Sequence, residues 1–328
     1  MTKVKPEIIN WIFKNIPKKD LTSDVKRELK ELPYIDANLN TLQILSTKID
    51  IPLGYFFLSS PPKEELLDLE FIRKAEKPLP RTIINHLYNM GLFQDYIKMT
   101  REEPLSIFES CVGKSIDESV EQIFQDLDLY PNWKQDCKSP DDAFEYYRSK
   151  LEKFGVIVIR SKYLQNDISK KIDYDICRSF TLLDSLAPLI YINDYYSNSI
   201  RSTLSYLVYE SVSIWIGKDN PLQKEIYMKI RGEIRDVYSG NFKSMQYKAD
   251  KTSRIVKRYG VNTILTIDDL VQTREITYVD AYRLFNLYGN HYKKLIRSAS
   301  WYHGEFLKEY NKTVHVFNST KNKNNNDG

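Results

Sequence analysis

Apolar side chains recur along this chain at two different spacings, and the change from one to the other divides it. Residues 6–17 open with Pro6 and Glu7, which suit a first helical turn, and then place Ile8, Ile9, Trp11, Ile12 and Ile16 at helical spacing. Residues 20–32 and 40–50 repeat the pattern, the second through Leu42, Leu45 and Ile49. The spacing predicts a small helical unit over 1–60. The run IPLGYFFLSSPP (51–62) ends in two prolines, which remove backbone donors and forbid a continuing helix, so a hinge or extended crossing is predicted near 59–64.

Residues 61–140 read as a linker and connecting helices. Ile83, Ile84 and Leu87, then Ile107, Phe108 and Cys111, then Val120, Ile123, Phe124 and Leu127 recur at three and four, with breaks at Pro104, Pro131 and Pro140. The period then changes. FGVIVIR (154–160), RSFTLL (178–183) and APLIYIN (187–193) are short β-branched or aromatic runs with polar flanks, which predicts a small sheet. Ser197 and Asn198 are candidate caps for the next segment. Its Ile200, Leu204, Leu207, Val208, Val212 and Trp215 form one stripe that stops before Gly217, as a helix packed on the sheet would. Residues 222–310 are helical in pattern and rich in Lys, Arg and Tyr, with breaks at Gly240 and Gly260. The end, 313–328, closes on NSTKNKNNNDG, which has nothing to bury and is predicted to be a disordered tail. The fold class these patterns imply is α+β, predominantly α.

Composition narrows the function classes. A formal charge of +4 from 48 basic and 44 acidic residues is a mixed, solvated surface and does not by itself argue for a nucleic-acid partner. Three well-separated cysteines, Cys111, Cys137 and Cys177, fit neither a disulfide framework nor a cysteine zinc site. No apolar stretch is long enough for a membrane helix, and the amino terminus has no secretory cleavage pattern. The expected location is the cytoplasm, with no membrane partner.

NTLQILSTKIDIPLGYFFLSSPPKEELLDLEFIR (40–73) is similar to the end of an XRE-type helix-turn-helix with the connector that joins it to a peptidase domain. RSFTLLDSLAPLIYINDYYSNSIRSTLSYLVYESVSIWIG (178–217) resembles two strands followed by a helix carrying H-E-x-x-H, and RIVKRYGVNTILTIDDLVQTREITYVDAYRLF (254–285) resembles a carboxy-terminal helical segment. Together these stretches resemble the ImmA/IrrE metallopeptidase family over roughly 40–290. The resemblance implies a zincin-like domain over 141–312, with a small sheet packed on helices, behind a degenerate helix-turn-helix-like unit at 1–60.

The same comparison exposes a departure. Residues four apart on a helix differ by about 40° in direction, so two histidines there present imidazoles to one zinc ion while the intervening acid activates its water. YESVS (209–213) sets Tyr209 and Ser213 at the two histidine positions and keeps only Glu210. A phenol and a neutral hydroxyl are poor zinc ligands, so no zinc or other cofactor is expected, and Glu210 becomes a vestigial catalytic acid. The third-ligand position implied by the family falls nearest Glu225. The family reading makes the chain a non-catalytic pseudo-peptidase, a regulator or antitoxin-like protein of a phage or mobile element. It would work by binding a protein partner of the repressor or toxin class.

Plainer readings stand beside these. Glu210 is also what a solvated acid on an amphipathic helix looks like, Tyr209 is one of 24 tyrosines, and Ser213 suits either close packing or a polar contact with Glu210. Two other functions remain open at this point. One is a metallopeptidase with a relocated site using Glu210, Glu225 and a distant histidine such as His291, cleaving a repressor. The other is a DNA-binding transcriptional regulator, although DLTSDVKRELKELPYIDANL (20–39) is short for a helix-turn-helix. Candidate phosphate contacts are Lys251, Arg254, Lys257 and Arg258, with Lys248 alongside and Lys14, Lys18, Lys19, Lys26, Arg27 and Lys30 near the amino terminus. Solvated helix faces are the more frequent meaning of such charges.

Overall fold

Two polar side chains start the second and third helices of the chain. Thr22 accepts a hydrogen bond from Val25 N at the head of α2 (Ser23–Glu31), and Asn38 accepts one from Thr41 N at 2.8 Å at the head of α3 (Leu39–Ile49). Helix α1 (Pro6–Asn15) begins on proline as its spacing predicts. The three bury Ile8, Ile12, Leu29, Leu42 and Leu45 together with Phe56 from a 3-10 turn at Leu53–Phe57. Segment 20–39 thus holds one helix and the turn into the next. The computed structural model describes residues 3–75, 78–129, 133, 137, 140–195, 200–233 and 251–304. The chain divides into two compact units, Met1–Asn89 with Asp167–Cys177, and Met90–Asn166 with Arg178–Gly328.

In the first unit the irregular crossing after Leu58 is pinned rather than loose. Glu64 accepts both arms of the Arg81 guanidinium, at 2.8 and 2.7 Å, and the Tyr55 hydroxyl at 3.0 Å. The Arg81 side chain is almost fully buried, so this bidentate pair is shielded from water. Burial together with the Glu64 charge pushes the Tyr55 phenol up to about 12. The division at Asn89, rather than near 60, follows from such distant ties. Asp50 ends α3 in the left-handed region, its carbonyl accepts Asn85 Nδ2 at 3.1 Å, and its carboxylate holds Lys170 at 2.5 Å. The short α4 (Glu70–Arg73) and the first half of α5 (Arg81–Lys98) complete the unit.

The second unit carries the sheet. Strands β1 (Ile157–Arg160), β2 (Ser179–Leu182) and β3 (Leu189–Ile192) lie inside the three runs predicted from sequence. Their order is β1-β3-β2, with β1 parallel and β2 antiparallel to β3, so the protein is α+β with helix dominant. Against one face pack α7 (Pro140–Phe154) and α8 (Ile200–Ile216), with α6 (Ile116–Asp126) and α9 (Gln223–Glu233) packed on α8, and the apolar side chains of all four share a core with Val158, Ile190 and Ile192. Further along come α10 (Lys251–Tyr259), α11 (Val261–Gln272), α12 (Tyr278–Phe285) and α13 (residues 290–304). None of the described helices is long and apolar enough to cross a membrane. The predicted tail at 313–328, the caps Ser197 and Asn198, and the breaks at Pro131 and Gly240 lie outside the described residues.

An ionic cluster fills the end of β1. Arg160 donates to Asp141 at 2.6 Å and to Asp194 at 3.2 Å, has Glu145 at 3.8 Å, and lies over the Phe144 ring. Arg148 donates to Glu152 at 2.8 Å, to the Lys257 carbonyl at 2.7 Å, and to the Val158 carbonyl. Burial opposes the Asp141 charge, yet Arg160 and Lys257 together hold that carboxyl below the usual range. Burial, reinforced by Glu145 and only partly offset by Arg148, pushes Glu152 from 4.5 up to about 7.

For Glu152 the folded state binds the proton more tightly than the unfolded chain. Its contribution to stability is therefore fully present below pH ~4.5 and is lost as pH rises through about 7. Glu152→Gln removes that dependence. Urea midpoints of the variant are expected to fall less than those of the native chain between about pH 5 and pH 8.

Candidate functional site

Helix α8 is more deeply enclosed than one apolar stripe predicts. Ser211, Val212, Ser213, Ile214, Trp215 and Ile216 are all buried, because α6, α7, α9 and the sheet surround its second half. Small hydroxyl residues make this possible. The Ser211 hydroxyl lies 3.0 Å from the Tyr147 hydroxyl and donates back to the Val208 carbonyl, and the Ser213 hydroxyl donates to the Glu210 carbonyl at 2.6 Å. The helix ends where the sequence places its stop: Gly217 has φ +84, and its amide bonds to the Ser213 carbonyl. Two carbonyls of the last turn, Ile214 and Trp215, accept the amides of Glu109 and Cys111, and Asp126 accepts the Trp215 indole at 2.7 Å.

Glu210 faces the edge of the sheet. Its two carboxylate oxygens accept the Ser179 hydroxyl at 2.7 Å and the Thr181 hydroxyl at 2.8 Å, and Thr181 lies 3.1 Å from its carbonyl as well. Strand alternation explains the pair: in Ser-Phe-Thr-Leu the two hydroxyls share one face of β2, while Phe180 and Leu182 are buried on the other. Ser179 and Arg160 are both register partners of the Ile192 level, Ser179 directly and Arg160 from the far strand. The sheet therefore sets the ionic cluster and the Glu210 contact on one face at the same height, with Ile192 between them.

Tyr209 and Ser213, the two positions that the resemblance makes degenerate metal-site positions, have other contacts. The Tyr209 ring meets Tyr227 edge-on at 5.4 Å, and its carbonyl accepts Gln223 Nε2 at 3.0 Å, so Tyr209 packs against α9. Glu225, also on α9, is exposed. His291 is exposed on α13, His86 is buried in the first unit and held near 3 by that burial, and His315 lies outside the described residues. Glu210, Glu225 and His291 are not gathered into one ligand set. Among the described residues no group of three or more His, Cys, Asp or Glu is placed to hold a metal ion.

The basic candidates separate as well. Lys257 pairs with Asp141, and Arg258 donates to the Gln165 carbonyl at 2.8 Å and to Asn166 beneath the Tyr163 ring, so both spend their charge on neighbouring groups. Arg254 is exposed, while Lys248 and the Lys251 side chain lie outside the described residues. Lys14, Arg27 and Lys30 are exposed on α1 and α2, Lys18 and Lys19 are exposed in the turn between them, and Lys26 is half-buried. Ser179, Thr181, Asp141, Arg160 and Asp194 were not singled out from sequence. The alternation of hydroxyl and apolar residues in Ser-Phe-Thr-Leu was the available signal for the first two.

No protein-family model, curated protein or solved structure matches the chain.

Proposed function

We propose that this chain is a non-catalytic relative of the ImmA/IrrE peptidases, a regulator or antitoxin-like protein that binds a protein partner along the groove between β2 and α8. The observation that carries the reading is the binding of both Glu210 oxygens by β2 hydroxyls. An acid that activates a metal-bound water must offer a lone pair to that water. Here each oxygen already accepts a strand hydroxyl that ties the carboxylate to β2, and Tyr209 and Ser213 stand where the family carries imidazoles. Glu210 acts as a clamp between helix and strand.

The edge of the sheet supplies the binding mode. The Arg178 carbonyl accepts the Asn193 amide, so by alternation Phe180 and Leu182 direct their amide groups toward β3 and Ser179 and Thr181 direct theirs outward. Among the described residues no strand pairs with that outer edge. An extended segment of a repressor or toxin adding as a fourth strand would satisfy those groups. Its side chains would pass over Glu210.

Photocrosslinking in the living host tests this. Benzoylphenylalanine in place of Arg178 or Tyr209 is expected to trap one and the same protein, and the same probe at the exposed Val279 on α12 of the same unit is expected not to. Ser179→Pro removes an outward amide at a strand position that tolerates proline together with the hydroxyl on Glu210, and should abolish the adduct, whereas Ser179→Ala, which removes the hydroxyl alone, should keep it. Adducts that are identical at all three positions, or that survive Ser179→Pro, would overturn the proposed groove.

A further inference from the structure

The last two described helices carry a surface that neither the clamp nor the edge strand uses. Between residues 281 and 304 the chain has Arg283, Lys293, Lys294 and Arg297 and no Asp or Glu, in a protein whose 48 basic residues are otherwise nearly balanced by 44 acidic ones. On α13, Tyr292, Leu295 and Ala299 turn inward and are buried. Lys293, Arg297 and Trp301 follow one another at intervals of four on the exposed side, with Lys294 beside them. The tryptophan is 61% exposed.

Two more rings stand in water, one on α12 and one in the turn before α13. Tyr278 and Tyr288 are 47% and 62% exposed, and each contacts Tyr282, at 6.0 and 5.9 Å between centroids. Tyr292 closes the group from below, 5.4 Å from Tyr282 and 6.3 Å from Tyr278, with its hydroxyl donated to Asp268 at 3.0 Å. The exposed rings therefore rest on the half-buried Tyr282, and Tyr278 also on the buried Tyr292. Two acids lie near these rings and keep their charge: Asp268 accepts the Tyr292 hydroxyl, and Asp280 closes the capping box of α12 with Thr277, whose hydrogen bonds hold its carboxyl below the usual range, so the phosphate track is confined to α13.

We propose that this α12–α13 surface binds single-stranded nucleic acid, with phosphates along Lys293, Lys294 and Arg297 and bases stacked on Tyr278, Tyr288 and Trp301. Exposed aromatic faces beside a basic track free of acids match a polyanion whose bases are unpaired, since each base offers a face to stack and each phosphate a charge to neutralise. A duplex keeps its bases stacked on one another and would use only the charges.

The test is fluorescence anisotropy of the full chain with a labelled oligo-deoxythymidine of about 15 nucleotides. Binding is expected at about 50 mM salt and should weaken steeply by about 200 mM, with each phosphate contact adding about 0.7 to the log–log slope. Tyr288→Ala and Trp301→Ala are each expected to weaken it by about tenfold, within the range measured for stacked bases. The charge reversal Lys293→Glu with Arg297→Glu should abolish it. Because all four side chains are exposed, the variants should keep the native circular dichroism. Three results would overturn the proposal: no binding at the low salt concentration, loss with the charge variant but not with the ring variants, or equal competition by a duplex of the same length. The first of these would leave a protein partner as the occupant of the surface.

Discussion

Arg160→Met is expected to destabilise the protein by about 3–5 kcal/mol, the range for removing one partner from a buried ionic cluster. The Arg160 side chain is 4% exposed and serves three carboxylates, and each of those acids is less well solvated than it would be in the unfolded chain. Methionine fills much of the same volume over the Phe144 ring but leaves Asp141 to Lys257 alone and Asp194 without its guanidinium donor. Because the loss is one of compensation rather than of packing, it should be partly recovered by neutralising the acid. Asp141→Asn is expected to cost less in the Arg160→Met background than in the native chain, and a double-mutant cycle from urea unfolding measures the difference. A loss below about 1 kcal/mol would place these charges in the class of exposed surface pairs and contradict the cluster's role at the sheet.

The second large effect is expected at the turn between α10 and α11. Gly260 has φ +81 and ψ 152, a region essentially reserved for glycine, where a side chain costs of order 1–3 kcal/mol. A Cβ there would sit 2.3 Å from Glu152 Oε1 and 2.5 Å from Arg148 Nη2, both on α7. Arg148 cannot withdraw without releasing the Val158 and Lys257 carbonyls, and each buried acceptor left unsatisfied adds about 1–3 kcal/mol. Gly260→Ala is therefore expected to cost about 2–5 kcal/mol in all. Gly91 provides the contrast. It lies within α5 with open space around its Cα, so Gly91→Ala should stabilise by about 0.5–1 kcal/mol from helix propensity. Thermal unfolding of the two variants side by side separates a crowded glycine from a merely helical one.

What could be read from the sequence was local. The strands were legible because β-branched runs such as Val156 to Ile159 break the helical period, and the end of α8 because Gly217 follows the last apolar turn. The enclosure of α8 was not legible, since a stripe of apolar residues looks the same whether one layer or several cover it, and Ser211 and Ser213 read as polar. Long-range chemistry was invisible for the same reason. Lys257 and Asp141 are 116 residues apart, and Lys170 and Asp50 are 120 apart, so no window of spacing connects them. The two prolines at 61–62 did mark an irregular crossing. They did not mark the limit of the first unit, because Glu64, Arg81, Asn85 and Lys170 tie later segments back to it. At the site, Glu210 was identified through its neighbours in YESVS, whereas its partners come from a strand about 30 residues earlier in the chain.

Whether the α8 helix serves a metal is the question on which the proposed function rests most heavily. Protein purified without a histidine tag, then dialysed against zinc and measured by elemental analysis alongside a chelator-treated sample, answers it in one experiment. The expected result is no stoichiometric zinc and no change in unfolding midpoint on adding metal. One equivalent of retained zinc, whose removal by chelator lowers the unfolding midpoint, would show a metal site and contradict the non-catalytic binder proposed.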